Sequence, residues 1–498
     1  MSEPIHWSAH LPEGTAAEDV DLTARISLPA AWSSLWAANP AARVLGGPDG
    51  IWVTGAGLLE TTAAVAGRLV AAGAHRGDRV LFAAPTSRPL VIAHCAAMRA
   101  GLVVVPVNPA ASRRELDAAI AAANPKVAVL GTEELRKWAS KADPRLVVTG
   151  PEVSLAEGPR PPLDAVRRSD PAMVVYTSGT TGSPKGVELS HANLLAGAES
   201  VRIAWRWTAR DRLLLALPLC HIHGLGIGLH GGLLSGGSVL LFERFDPETV
   251  LAAAADGATM FFGVPTMYER LAAADRGMRL ARLRLCVSGS AALNAQTHRS
   301  IEWRCGQRVL ERYGTTETLL LVSNPLDGER RAGTVGFPLP GVELRLDEKT
   351  REILVRGPSV FAGYRELPET NAAAFTDGWF RTGDIGEIDD GYLRIVGRAK
   401  ELIITGGYNV YPREVEDVLR SFPGVLDAAV VGTPSAEWGE TVTAFVEAPP
   451  TIDLEALSEH ARGELAPYKR PRLLYRRDEL PRNLLGKVVK ERLGADEP

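Results

Sequence analysis

Arg79-Val80-Leu81-Phe82, Val103-Val104-Val105-Pro106-Val107 and Val127-Ala128-Val129-Leu130 are the runs that decide the fold. Each is short, continuous and apolar, which suits a strand covered on both faces. Pro89 to Gly101 reads as a helix between the first two runs, and Arg113 to Ala123 as a helix between the second and third. Strand, helix and strand with short connections form a βαβ unit, which implies parallel pairing. Upstream, Leu58 to Ala72 places apolar residues at helical spacing, closed by Gly73 and Gly77. Residues 1–50 are weakly patterned and are expected on the surface. The pattern predicts a doubly wound α/β sheet with helices on both faces.

The same logic runs on downstream. His191 to Ile203, Gly224 to Leu234 and Pro247 to Ala255 read as helices, with strands at Asp211 to Pro218, Ser238 to Phe242 and Thr259 to Phe262. Two packed α/β subdomains are expected. From Gly333 to Gly397 the texture changes to short alternating runs, such as Glu343 to Leu346, Glu352 to Val355 and Gly391 to Val396, which predict a β-rich segment. After Arg398 the chain reads as compact α+β, with helices at Pro412 to Ser421 and Leu454 to Leu465 and strands at Ala428 to Val431 and Thr441 to Glu447. The boundary falls near Arg398-Ala399-Lys400, giving a large domain over 1–398 and a small one over 399–498.

Composition narrows the function. A net charge of −4 over 498 residues favours neither nucleic acid nor an anionic membrane as partner. The four cysteines, Cys95, Cys220, Cys286 and Cys305, are far apart, against a disulfide framework or a zinc site. The first residues carry no basic leader followed by an apolar stretch, so a cytoplasmic protein is expected. The most apolar stretch, Leu213 to Leu234, is interrupted by His221, His223 and His230, which argues for a core segment bordering a site rather than a membrane span.

Tyr176-Thr177-Ser178-Gly179-Thr180-Thr181-Gly182-Ser183-Pro184-Lys185-Gly186 carries the plainest chemistry. Glycines bring backbone N–H groups close to a ligand, hydroxyls add donors and the lysine adds a compact cation. Together they suit the phosphates of a nucleotide. A Walker A loop needs Ser or Thr after its lysine, and here Gly186 stands there.

Five further stretches follow. Glu311-Arg312-Tyr313-Gly314-Thr315-Thr316-Glu317-Thr318 offers a ring to stack on a base, hydroxyls for a phosphate and an oxygen ligand for Mg²⁺. Trp379-Phe380-Arg381-Thr382-Gly383-Asp384 sets a carboxylate beside a glycine turn, either a ribose contact or an ordinary turn aspartate. Gly397 to Tyr408 ends in a double glycine, Gly406-Gly407, that permits close approach to a narrow ligand. Pro481-Arg482-Asn483-Leu484-Leu485-Gly486-Lys487-Val488 presents one lysine on a loop, where the plain alternative is a solvated surface side chain. Leu217 to Gly224 sets His221 and His223 in apolar surroundings, as pocket lining or satisfied core histidines; no carboxylate cluster makes them a metal pair.

The order and spacing of these stretches resemble the adenylate-forming superfamily of acyl-CoA synthetases, adenylation domains and luciferases, from about Leu58 to Leu493. The resemblance implies that a carboxylic acid and Mg·ATP form an acyl-adenylate with release of pyrophosphate, after which a thiol, coenzyme A, displaces AMP. It implies phosphate contacts at Thr177, Ser178, Gly179, Thr180, Thr181 and Lys185, and adenine and α-phosphate contacts at Tyr313, Gly314 and Thr316. Glu317 matches the Mg²⁺ ligand, Asp384 and Arg398 the ribose contacts, and Lys487 the lysine bridging carboxylate and α-phosphate. Lys400 matches the hinge of a mobile C-terminal domain, and Gly406 and Gly407 the glycines beside the pantetheine.

The acid is less legible. Gly263 to Tyr268, Ser288 to Leu293 and Arg330 to Gly336 look like the malonyl-CoA synthetase branch, so malonate or methylmalonate is expected. A second carboxylate needs a cation; Arg244, Arg330 and Arg331 are candidates, helped by Ser288, with Gly289 and His221 also expected at the acid, though Arg244-Phe245-Asp246 also occurs in relatives that take uncharged acids. Small pocket residues equally admit a fatty, aromatic or specialised natural-product acid, and a carrier protein could replace coenzyme A as acceptor. A luciferase-like oxygenase has no supporting motif, and a non-catalytic relative should have lost Lys185, Glu317 or Lys487. The turn from Asp347 to Arg351 is shorter than in relatives and is expected to have no catalytic effect. Nothing in the sequence specifies an oligomeric state.

Overall fold

The computed structural model describes residues 7–22, 26–177, 185–435, 437–483 and 486–493. Its first sheet has six strands in the order Val147–Thr149, Val127–Leu130, Arg79–Ala83, Val103–Pro106, Pro171–Thr177 and Lys185–Ser190. All pairs are parallel except the last, an antiparallel hairpin. The three diagnostic runs are its centre, and they are buried on both faces, which is why they lack polar alternation. The helix Gly55–Ala71 is capped by the Thr54 hydroxyl, which accepts from Gly57 N–H at 3.2 Å.

A nine-stranded sheet packs against it, with six parallel strands running from Arg43–Gly46 through Ser238–Leu241, Arg212–Leu215, Met260–Gly263 and Leu285–Ser288 to Leu310–Tyr313. One large apolar cluster fills the space between the sheets. Two doubly wound α/β layers and a following β-rich segment are thus the observed class. A five-stranded antiparallel sheet spans Glu343 to Arg398. A fourth sheet begins at Ile403 and holds its own core with the helices Pro412–Ser421 and Leu454–Glu464. Among the described residues no helix is long and apolar enough to cross a membrane.

Two expectations need correction. The first fifty residues are not merely a surface segment. Leu28–Ala38 is a helix whose Trp32 and Trp36 are buried, and Arg43–Gly46 is an inner strand of the nine-stranded sheet. Ser27 caps this helix, and the two tryptophans lie one turn apart on its inner face; the short helix gave too few apolar repeats to be recognised. The helix expected over Gly224 to Leu234 is α-helical only from His230 to Leu234. Its first half, His223–Leu229, is a wide π turn in which Ile227 N–H donates to Ile222 C=O at 3.0 Å. Glycine is required there: a Cβ on Gly224 would lie 2.6 Å from the Pro218 carbonyl, and one on Gly228 2.8 Å from a Leu215 methyl. Such turns are rare and frequent at functional sites.

Candidate active site

Of the predicted site residues, Thr177, Ser288 and Tyr313 end parallel strands, the edge at which open α/β sheets bind ligands. Thr177 and Lys185 stand opposite each other across the hairpin that ends the first sheet. Ser178, Gly179, Thr180 and Thr181 lie outside the described residues. The Lys185 ammonium sits 5.3 Å from the centre of the Tyr364 ring, and the Tyr364 hydroxyl donates to Glu317 Oε1 at 3.0 Å. Burial, then the Glu317 charge, pushes the Tyr364 hydroxyl upward, so it stays a donor. Glu317 is anchored through its backbone, since its carbonyl accepts from Phe361 N–H at 2.8 Å. No group of three metal-ligating side chains occurs among the described residues. A single partly buried carboxylate fits Mg²⁺, which keeps waters and takes most other ligands from substrate phosphates.

Asp384 links three predicted residues. The residue is buried at 3% exposure; it accepts from the Tyr313 hydroxyl at 2.5 Å and pairs as an ion with Arg398, whose Nε lies 2.9 Å away. Asp384 holds the Arg398 pKa up, and burial followed by Asp384 drives the Tyr313 hydroxyl well above its ordinary value. Gly314, after Tyr313, must be glycine because a Cβ there would lie 2.0 Å from the Leu319 carbonyl. Thr316 is partly buried on the same loop.

Lys487 completes this group from the small unit. It keeps contact with solvent, yet surrounding protein, then Arg398, lowers its pKa; Glu401 and Asp384 oppose that shift. Its backbone N–H donates to Asn483 Oδ1 at 3.1 Å. Arg482 ties the loop down by donating to the Gly486 carbonyl at 3.0 Å, Asp427 at 2.8 Å and Glu447 at 2.9 Å. Gly486 in turn lies against Thr266 of the large unit. Lys400 and the Gly406-Gly407 turn are exposed, with Gly406 against Trp438.

The acyl side holds a residue that the sequence reading passed over. Arg312 is buried at 6% exposure, and its Nε and one Nη donate to nothing. The guanidinium lies over Gly289, where a Cβ would come within 2.2 Å of its Cζ. Burial pulls its pKa down to about 9, so it is cationic at neutral pH. Its charge, after burial, helps hold His223 neutral. His223 shares a hydrogen bond with the Ser290 hydroxyl at 3.2 Å and leaves its Nε2 unpartnered. Ser288 Oγ, one residue before Gly289, is also buried without a partner. Unsatisfied buried polar groups are costly, so this cluster points to a polar guest. A signal was available: two charged residues, Glu311 and Arg312, interrupt a strand whose neighbours are covered.

The arginines expected to meet a second carboxylate are elsewhere. Arg331 faces Glu329, Asp389 and Asp390 at 3.7, 3.3 and 3.3 Å and stacks on Tyr392, so carboxylates of the chain already balance it. Arg244 is exposed and acts on the neighbouring Asp246. Arg330 donates to the Leu326 carbonyl at 3.0 Å and to the Arg308 carbonyl. Arg330 and Arg331 thus spend donors on the chain itself, and Arg244 faces solvent. His221 is partly buried beside His223, and burial lowers its pKa.

Residues 34–365 match the AMP-binding enzyme family, and residues 414–487 match the AMP-binding enzyme C-terminal domain. The chain is 40% identical over 366 residues to a malonate–CoA ligase of Arabidopsis thaliana, a match covering 65% of this chain and 60% of the plant protein. It is 38% identical to a sulfoacetate–CoA ligase of Cupriavidus necator over 88% of this chain and 91% of that one. The ATP-bound crystal structure of MatB from Rhodopseudomonas palustris superposes with a TM-score of 0.88 at 38% identity, covering 94% of this chain and 98% of MatB.

Proposed function

Because this chain belongs to the AMP-binding enzyme family, we propose that it is an AMP-forming acid–CoA ligase whose acid carries a second, distal anionic group, with malonate or methylmalonate first. The carrying observation is Arg312, a buried cation with two idle donors over Gly289. A fatty or aromatic tail against that guanidinium would leave it unpaired and desolvated, whereas a carboxylate supplies charge and acceptors together. His223 and Ser288 would complete the acceptor's shell. A sulfonate would meet the same donors, in keeping with the sulfoacetate relative.

The reaction joins two anions, so its barrier is largely repulsion and positioning. Thr177, Lys185 and the intervening positions hold the β- and γ-phosphates, while Tyr313 and Asp384, with Arg398, seat adenine and ribose. Glu317 would hold Mg²⁺, whose chemistry is to neutralise phosphate charge. Lys487 and Arg398 are cations beside the Asp384 end of the nucleotide site. There Lys487 draws the near carboxylate and the α-phosphate together. A carboxylate oxygen attacks the α-phosphorus and pyrophosphate leaves. The small unit, residues 399–498, then turns about Lys400 to bring Gly406 and Gly407 to the pantetheine. The thiolate attacks the acyl carbonyl, and AMP departs.

The test is a panel of acids with Mg·ATP, with and without CoA, scoring pyrophosphate and AMP separately. Malonate, methylmalonate and sulfoacetate are expected to release pyrophosphate, with AMP following only when CoA is present. Preference for butyrate or ferulate over all three would overturn the substrate class. AMP release that needs a carrier protein instead of CoA would overturn the acceptor.

A further inference from the structure

The loop that carries Thr316 and Glu317 connects the strands Leu310–Tyr313 and Val322–Ser323. It closes where Leu321 N–H donates to the Tyr313 carbonyl at 3.0 Å. Two residues before that closure, Leu319 holds φ at +60°. A bulky L residue in the left-handed region is a sterically disfavoured outlier. Such a conformation persists only where the surroundings impose it, and it concentrates at functional sites.

The surroundings here are explicit. Leu319 is 1% exposed, and its two methyls point at two glycines. A Cβ on Gly197 would lie 2.4 Å from one methyl, and a Cβ on Gly226 would lie 3.2 Å from the other. Gly197 sits in the middle of the helix His191–Ala204, which continues directly from the strand Lys185–Ser190. Gly226 sits in the π turn that begins at His223. The Leu319 carbonyl meanwhile packs onto Gly314 at the mouth of the loop. One side chain therefore abuts the segment leading from Lys185 and the segment leading from the π turn at His223, while its own backbone belongs to the loop that holds Glu317. An apolar residue needed only to fill a core has no reason to take a strained backbone to do so.

Resting on the reading that Thr316 and Glu317 serve Mg·ATP, we propose that Leu319 is a positioning residue: a wedge that sets where Thr316 and Glu317 stand relative to Lys185. The strained φ is the conformation that the wedge imposes. Removing the wedge loosens the loop without touching nucleotide or acid directly. Pushing on it from Gly197 displaces the loop from the other side.

The experiment compares Leu319→Gly, Leu319→Met and Gly197→Ala in the full chain. It measures melting temperature, the Kd of Mg·ATP by calorimetry, and malonate-dependent pyrophosphate exchange with KM resolved for each substrate. In Leu319→Gly the backbone relaxes but a buried core side chain is lost, so melting falls, and exchange efficiency for Mg·ATP falls about 10- to 100-fold, the scale of a misplacement remote from the chemistry. The KM of malonate stays within about twofold, since pocket contacts are untouched. Leu319→Met keeps the bulk and recovers most of the loss. Gly197→Ala, a change that favours a helix interior, weakens Mg·ATP use on its own and adds little in the Leu319→Gly background, because both act through one contact. Should Leu319→Gly fail to fold, Gly197→Ala and Leu319→Met decide the matter by the same readouts. Unchanged Mg·ATP parameters in Leu319→Gly and Gly197→Ala, whatever the melting temperatures, would reduce Leu319 to core filling. If the unmodified chain binds Mg·ATP but shows no acid-dependent exchange, the ligase reading fails, and the Kd comparison still decides the role of Leu319.

Discussion

Replacing Arg312 by methionine keeps much of the side-chain volume and removes the charge and both idle donors. If the distal carboxylate binds there, it loses a buried, charge-assisted contact of the kind whose truncation costs about 2–5 kcal/mol. At roughly 1.4 kcal/mol per decade, kcat/KM for malonate should fall between about 30-fold and several thousand-fold. The same change removes an unpaired buried cation, so butyrate should be used as well as before or better, and melting should hold or rise. Selectivity for malonate over butyrate is therefore the decisive quantity. It is measured by continuous pyrophosphate release at saturating Mg·ATP with malonate, methylmalonate, sulfoacetate and butyrate in parallel. The reasoning is refuted if Arg312→Met loses equally with butyrate and malonate, since the residue would then act on the fold or the nucleotide. It is refuted also if malonate kcat/KM drops by less than about fivefold, under the energy of one charged hydrogen bond.

Gly289→Ala should reproduce part of that phenotype, because its Cβ would stand 2.2 Å from Arg312 Cζ. The expected loss in malonate kcat/KM is about 10- to 100-fold with an unchanged KM for Mg·ATP, and equal use of malonate by mutant and parent contradicts it. Arg482→Gln releases the Gly486 carbonyl and leaves Asp427 and Glu447 without their shared cation. It should slow adenylation by about 100-fold through a displaced Lys487 while sparing thioester formation from supplied malonyl-AMP; equal slowing of both steps argues against that route. Burial depresses the pKa of His10 to about 4, His94 to about 3 and His191 to about 4, and lowers His223 and His230 as well. The unfolded chain takes up protons below its ordinary histidine pKa while the folded chain does not. Stability is thus present above about pH 6.5 and is lost at about 1.4 kcal/mol per histidine per pH unit on the way down to about pH 4. Calorimetry from about pH 8 to about pH 5 should show a falling melting temperature, and a flat profile would contradict the neutral buried histidines.

The parallel strands were legible because a strand covered on both faces must be continuously apolar, and Val103 to Val107 can be little else. The helix Leu28–Ala38 was not, since Trp32 and Trp36 announce a buried face only when a second sheet is known to lie beneath them. Glycine needs told a similar story. Gly314 and Gly289 look like ordinary loop residues in the sequence, and only the approach of the Leu319 carbonyl and of Arg312 explains them.

The proposed nucleotide site is written locally: hydroxyls and glycines before Lys185, a carboxylate at Glu317, a turn aspartate at Asp384 and a lysine at Lys487. Local order suffices because each element offers its groups on a few consecutive residues. The proposed acid site is not local. Arg331 looked like the anion partner and is held by Glu329, Asp389 and Asp390, while Arg312 seemed incidental beside Tyr313. Whether an arginine greets a substrate depends on which of its donors the folded chain leaves unmet, and that sum runs over residues far apart in sequence. Sequence alone determined the α/β architecture and the family; tertiary structure alone decided which buried cation is left with idle donors.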